Sequence, residues 1–194
     1  MGQCGVQLQP LVDALKAEIL AHTVLHADET PVEMLKPGTG KTHRAYLWAY
    51  SPGVFEAMKA VVYDFAESRS GEHARAFLGD WRGSLICDDY GGYKASFAQG
   101  ITEVGCMAHA RRKFFDLHAN GSSQIAGQAL QTIGLLYDIE RETQELSAED
   151  RQAIRQDKSR RIADALHGWM LAQRSQVRLP LNFGALSLGC HAAF

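Results

Sequence analysis

Asp28 stands in the run Val24-Leu25-His26-Ala27-Asp28-Glu29-Thr30-Pro31, and Asp88 in Leu85-Ile86-Cys87-Asp88-Asp89-Tyr90-Gly91-Gly92-Tyr93. Each follows a short apolar run and precedes turn-favouring residues, so each is expected at the end of a strand. Carboxylates there supply hard oxygen ligands. On neighbouring strands, two of them can hold Mg²⁺ for phosphoryl transfer, where the ion stabilises the attacking and leaving oxygens. The plainer reading is that both aspartates only form turns.

The pattern between them supplies the elements that would position such a pair. Residues 24–27, 44–50 and 60–65 are apolar, aromatic or β-branched runs separated by short turns, which predicts an antiparallel meander. Ser70 can cap a helix whose apolar face is Ala74, Phe77, Leu78 and Trp81, spaced i, i+3, i+4, i+7. That helix is the crossover to a fourth strand, residues 84–87, parallel to the first. In this topology Asp28 and Asp88 finish at the same edge of the sheet, where open α/β sheets build their sites. Side chains alternate along a strand, so within Asp28-Glu29 and Asp88-Asp89 one member of each pair serves a site directly and the other is solvated or capping. A fifth strand over 101–106 and a helix over 108–118 follow.

From Ser123 onward the pattern becomes helical. Ala126, Ala129, Leu130, Ile133, Leu136 and Tyr137 form one apolar face, and Ser147 with Asp150 offers the cap of a second helix that carries Ile162, Leu166, Trp169 and Met170. Glu140, Glu142 and Glu145 are expected on a solvated helix surface. At the other end, Leu8, Leu11, Val12, Leu15 and Ile19 recur at helical spacing and predict a lead-in helix.

Two other motifs carry less. Pro37-Gly38-Thr39-Gly40-Lys41-Thr42 has the look of a phosphate-binding loop, but Leu35 stands where the motif needs glycine and a strand follows in place of a helix, so a loop between strands is expected. Cys106 and His109 have half-zinc-site spacing with no second pair to close a tetrahedral shell. Tyr90, Tyr93, Phe114 and Phe115 are read as core aromatics before base-stacking ones.

The 194 residues, 46% of them hydrophobic, can bury one real core. A formal net charge of −2 argues against a dedicated basic DNA-binding module. Four cysteines without a disulfide framework, and no apolar run as long as a membrane span or secretory signal, predict a cytoplasmic protein with no membrane partner. Gly2 lacks the Ser or Thr that myristoylation needs at position six, where Val6 stands.

His26-Ala27-Asp28-Glu29-Thr30-Pro31-Val32, the segments SRSGEHARAFL at 68–78, CDDYGGY at 87–93, CMAHARRKFF at 106–115 and LLYDIERE at 135–142 occur in the order found in the catalytic region of the insertion sequence 66 family of bacterial transposases. The chain resembles that family from about residue 8 to about 172. The resemblance implies an RNase H-like α/β fold: a five-stranded mixed sheet with flanking helices and a helical insertion. It implies a DDE active site that uses Mg²⁺ or Mn²⁺ to cut DNA at element ends and join it to a target. Asp28 and Asp88 match the first two catalytic and metal-binding carboxylates. His109, Arg111, Arg112 and Lys113, in a matching segment, become candidate DNA contacts, the basic trio neutralising phosphates.

The family's third carboxylate is a glutamate in a C-terminal helix, in a segment rich in Asn, Glu and Arg. After Trp169 this chain departs from that pattern, and its last twenty residues carry Arg178 as their one formal charge. The expected organisation is a lead-in helix over 1–22, a partial catalytic core over 23–118, a helical insertion over 119–174 and an aberrant tail over 175–194, a frameshift or deletion having replaced the original C-terminus. The functional expectation is a transposase catalytic-core fragment, inactive as truncated and nucleoid-associated, with DNA, a second copy or an intact transposase as partner. The alternatives are a noncatalytic DNA-binding or regulatory partner of an intact transposase, or an RNase H-like structure-specific nuclease.

Overall fold

A computed structural model describes residues 3–121 and 123–176, with the side chains of 175 and 176 left aside. The chain divides into two compact units, Met1–Glu103 and Val104–Phe194. The tail that the sequence sets apart lies, from residue 177, outside the described residues. None of the described helices is long and apolar enough to cross a membrane.

The first unit opens with α1 (Gln3–Ile19), followed by β1 (Val24–Lys36), β2 (Lys41–Pro52), β3 (Val62–Ala66), α2 (Gly71–Leu78), β4 (Ser84–Cys87), a 3₁₀ turn at Gly91–Tyr93, α3 (Lys94–Ala98) and the start of β5 (Thr102–Gly105), a strand that crosses the unit boundary. The five strands form one sheet in the order β3-β2-β1-β4-β5. β1 pairs antiparallel with β2 and parallel with β4, and β2 pairs antiparallel with β3. This is an α/β fold with a mixed sheet and flanking helices, of RNase H-like architecture.

Strand alternation builds its core. Leu25 and Ala27 on β1, Trp48 and Tyr50 on β2, and Leu85 and Cys87 on β4 are all buried, two apart on each strand. α2 covers them with Ala74, Phe77 and Leu78. Phe77 stacks on Tyr50 with ring centroids 3.7 Å apart, a contact that adds to simple area burial. Ser70 caps α2 by accepting from the Glu72 N–H, as the sequence predicts, and the helix ends at Gly79 with φ +53. α1 sends only Ile19 fully into this core; Leu8, Leu11 and Val12 remain exposed.

β1 runs farther than the sequence predicts. It continues through Asp28 to Lys36 because β2 pairs with it along its whole length. The connecting turn places Gly38 and Gly40 at φ +81 and +63, left-handed conformations that glycine adopts without strain, while the Thr39 hydroxyl donates to the Lys36 carbonyl at 2.8 Å. Pro-Gly-Thr-Gly is thus a hairpin turn and not a phosphate cradle.

The second unit contains α4 (Met107–Gly121), α5 (Gln124–Glu142), α6 (Ala148–Ile154), a single π-helical turn over Arg155–Ser159, and α7 (Arg160–Gln176). Its core joins Phe114 of α4, Ala126, Ala129 and Ile133 of α5, and Leu166 and Met170 of α7. Ser123 and Ser147 cap α5 and α6, accepting from the N–H groups of Ala126 and Asp150 at 3.3 and 3.1 Å. Glu140 leaves the solvated role expected of it. It accepts from Arg155 Nε at 2.7 Å and ties α5 to the π turn.

Candidate functional site

The parallel ladder between β1 and β4 sets the geometry. Its pairs are Val24 with Ser84, Leu25 with Leu85 and His26 with Ile86. Two residues farther along each chain stand Asp28 and Asp88, so both follow the pair His26 with Ile86 by the same number of positions. β4 ends at Cys87 while β1 runs on, so Asp28 sits where the parallel pairing stops and not at the end of its own strand. From there one side of β1 lacks a β4 neighbour, which is why Pro31, with no N–H to donate, is tolerated within the strand.

Asp28 is exposed and Glu29 buried, the alternation expected for a strand whose other inward residues are Leu25 and Ala27. Asp88 is half-buried. Its Oδ1 accepts the Tyr90 N–H at 2.8 Å, closing a short turn immediately after β4. Asp89 faces Lys94 at 3.6 Å, and Lys94 also pairs with Glu103 at 2.6 Å, so the second member of the acidic doublet belongs to a small surface ion-pair group.

Glu29 is neither solvated nor capping, the two roles that alternation leaves to the second member of the acidic pair. Its side chain is 1% exposed, and a buried carboxylate needs partners. The Tyr93 hydroxyl donates to Oε2 at 2.8 Å; Arg69 Nε donates to Oε1 at 2.9 Å, and a second guanidinium nitrogen reaches the same oxygen. Burial raises the Glu29 pKa, opposed by the Arg69 and Tyr93 hydrogen bonds, and the charge of Asp88 raises it further. Burial also raises the Tyr93 pKa, with Glu29 adding to the effect. Burial works against the Arg69 charge, but the bond and charge of Glu29 outweigh it, and Asp88 contributes in the same direction.

Arg69 also lies 3.9 Å over the Tyr90 ring, and its backbone carbonyl accepts the Tyr90 hydroxyl. Ser68 and Ser70 hold the backbone around it: Ser68 Oγ accepts the Ser70 N–H at 3.3 Å, and Ser70 begins α2. The turn after Asp88 and the start of α2 approach so closely that a Cβ on Gly71 would lie 2.1 Å from the Gly92 carbonyl oxygen. Two signals pointed here. Period-two alternation puts Glu29 on the Leu25 and Ala27 face, where a carboxylate requires a counter-charge, and Arg69 lies within one of the segments that resemble the transposase family.

As a metal site the arrangement offers two carboxylates. Among the described residues, no group of three or more His, Cys, Asp or Glu is placed to hold an ion. Two carboxylates still suit Mg²⁺ or Mn²⁺, hard ions often held by one or two protein carboxylates with water and substrate phosphate completing the shell.

The other predicted residues lie on α4. Arg111 and Arg112 line a groove of about 640 Å³ between α4 and α5, together with Phe115, Tyr137, Asp138 and Arg141. Asp138 pairs with Arg141. Burial raises the Tyr137 pKa and Cys106 adds to the rise, while Arg111 pulls the other way, marking the guanidinium as close to the phenol. His109 is half-buried and Lys113 exposed; neither lines the groove. Arg141 joins the predicted arginines because α5 packs against α4, a tertiary contact that spacing within one segment does not reveal.

The profile of the family described as Transposase IS66 family matches residues 1–186. The chain belongs to the IS66 family of transposases. Three similar proteins come from Sinorhizobium fredii (strain NBRC 101917 / NGR234): Uncharacterized protein y4qI, 35% identical over 86% of this chain and 33% of its own length; Uncharacterized protein y4hP, 32% identical over 94% and 38%; and Uncharacterized protein y4jD, 35% identical over 88% and 35%. The chain spans about a third of the length of these curated relatives. The IS66 match takes in both the sheet unit and the helical unit, and extends past Trp169.

Proposed function

We propose that this chain is the catalytic-core portion of a DDE-type IS66 transposase, with Asp28 and Asp88 as the two carboxylates that hold Mg²⁺ or Mn²⁺. What supports this reading is the parallel pairing of β1 with β4, whose pair His26 with Ile86 precedes Asp28 and Asp88 by two residues each. When bound, the cation supplies Lewis acidity toward a phosphodiester. The chain's own part is to hold two adjacent negative charges in place and to present cationic side chains to the DNA. In a complete relative the reaction is hydrolysis of a phosphodiester at the element's end, followed by attack of the freed 3′-hydroxyl on target DNA.

DNA contact is assigned to Arg111 and Arg112 in the α4/α5 groove, with Arg141 beside them, and to His109 and Lys113 on the same helix α4. Arginine matches phosphate geometry through its planar fork. Asp28 and Asp88 suffice for one cation but not for a second, so this chain by itself is expected to bind element-end DNA and to cleave it weakly or not at all. The arginines of the α4/α5 groove need no metal to meet phosphate, which fits a second reading: a noncatalytic DNA-binding partner of an intact transposase.

The test is incubation of the purified chain with element-end duplex and Mn²⁺, alongside Asp28→Ala. Binding with feeble nicking that disappears in the variant supports the core-fragment reading. Binding with no nicking in either supports the noncatalytic partner. Cutting of branched DNA without joining points instead to a structure-specific nuclease. Failure to bind DNA at all overturns the transposase-core and partner readings together.

A further inference from the structure

We propose that Glu29, Arg69 and Tyr90 form a clamp that positions Asp88 for its cation, an inference that rests on the metal reading of Asp28 and Asp88. The clamp is a continuous chain of contacts. It begins at Glu29, one residue beyond Asp28 on β1, whose buried carboxylate fixes the Arg69 guanidinium through Nε at 2.9 Å and a second nitrogen. Arg69 in turn fixes Tyr90 twice, by its guanidinium 3.9 Å over the ring and by its backbone carbonyl, which accepts the phenol hydroxyl. Tyr90 then donates its N–H to Asp88 Oδ1 at 2.8 Å. That bond fixes the rotation of the Asp88 carboxylate and leaves Oδ2 as the oxygen without this tie.

The physical logic is that of the groups behind a metal ligand, which orient it and are felt in affinity when altered. Neither end is loose. Tyr93, fully buried and edge-on to Trp48 at 5.8 Å, holds Glu29 from the other side, and the Gly71–Gly92 approach holds the Asp88 turn against the start of α2. Because Asp28 and Glu29 are adjacent on β1, the anchor of the clamp and the first ligand belong to one rigid strand. Asp88, on a turn after a four-residue strand, is the ligand that needs such support. Glu29 is thus a positioning residue that acts through Arg69, and Arg69 acts through Tyr90; none of the three needs to touch the cation.

Two readouts test this on the full chain: Mn²⁺ titration followed by electron paramagnetic resonance, and metal-free hydrogen exchange at the Tyr90 amide. Arg69→Met is expected to weaken Mn²⁺ binding by about 10- to 100-fold and to speed Tyr90 exchange. Arg69→Lys keeps the charge but loses the fork and the flat stacking surface, so it restores only part of both. Tyr90→Phe removes the hydroxyl contact alone and gives a smaller loss, which keeps the test decisive if Arg69→Met does not fold. Folded variants whose Mn²⁺ affinity and Tyr90 exchange both match the unsubstituted chain would overturn the clamp. If the unsubstituted chain and Asp28→Ala titrate alike, the metal reading itself fails and takes the cation role with it, whereas faster exchange in Arg69→Met still shows that the clamp orders the Asp88 turn.

Discussion

Each unit holds a glutamate bound by an arginine fork, and the two pairs serve different ends. In the sheet unit Glu29 is 1% exposed against 42% for Arg69; in the helical unit Glu140 and Arg155 are 30% and 25% exposed. The first pair has a fully desolvated carboxylate that a tyrosine must also satisfy, and its arginine goes on to brace the turn carrying Asp88. The second joins α5 to a π turn, with both partners partly exposed. A buried ion pair adds little net stability but is costly to break from one side; a solvated one is cheap either way. The sheet unit therefore concentrates its electrostatics where geometry must be exact in position, while the helical unit spreads charge over a surface and a groove.

Breaking the buried pair from one side should produce the largest effect. Arg69→Met is expected to destabilise the sheet unit by roughly 2–3 kcal/mol, below the 3–5 typical of a fully buried pair because Arg69 is partly solvated. Urea unfolding followed through Trp48 and Trp81 fluorescence measures it, and a loss under 0.5 kcal/mol would erase the contrast between the units. Next comes Gly71→Ala, whose methyl would meet the Gly92 carbonyl. Forcing backbone apart there should cost about 1–3 kcal/mol, read by the same unfolding curve.

The helical unit should respond to the equivalent changes in the opposite sense or hardly at all. Gly134 lies inside α5 with nothing within 4 Å of an added Cβ, so Gly134→Ala should stabilise by about 0.5–1 kcal/mol, seen as a higher thermal midpoint by circular dichroism. Glu140→Gln should cost about 0.5–1 kcal/mol in the same assay. Smallest in stability, though not in binding, is Arg141→Gln: the exposed side chain should leave the midpoint unchanged and weaken oligonucleotide binding several-fold, with a shallower salt dependence in fluorescence anisotropy.

The same contrast explains what was legible in the sequence. Apolar, aromatic and β-branched runs mark the strands, the crossover helix marks the parallel return of β4, and Ser70 and Ser147 mark helix starts, because these signals act over a few residues. β1 runs on past Thr30-Pro31, a pair that resembles a stop, because β2 pairs with it through Lys36. The apolar positions of α1 suggested a packed face, yet Leu8, Leu11 and Val12 are exposed; periodicity states which residues share a face, not whether anything covers it. Asp28 and Asp88 could be picked out from local runs. Arg69 could not, since its role depends on Glu29 forty positions earlier and on the ring of Tyr90, and Arg141 joins Arg111 and Arg112 only through the packing of two helices.

The account stands on Asp28 and Asp88 sharing one divalent cation, and paramagnetic broadening by substoichiometric Mn²⁺ in the nitrogen-15 spectrum of the chain tests that most directly. The amide signals of Asp28, Glu29, Asp88 and Tyr90 should fade together, and Asp28→Asn should spare all four. Broadening confined to one strand, or scattered over other acidic side chains while these four persist, would contradict it.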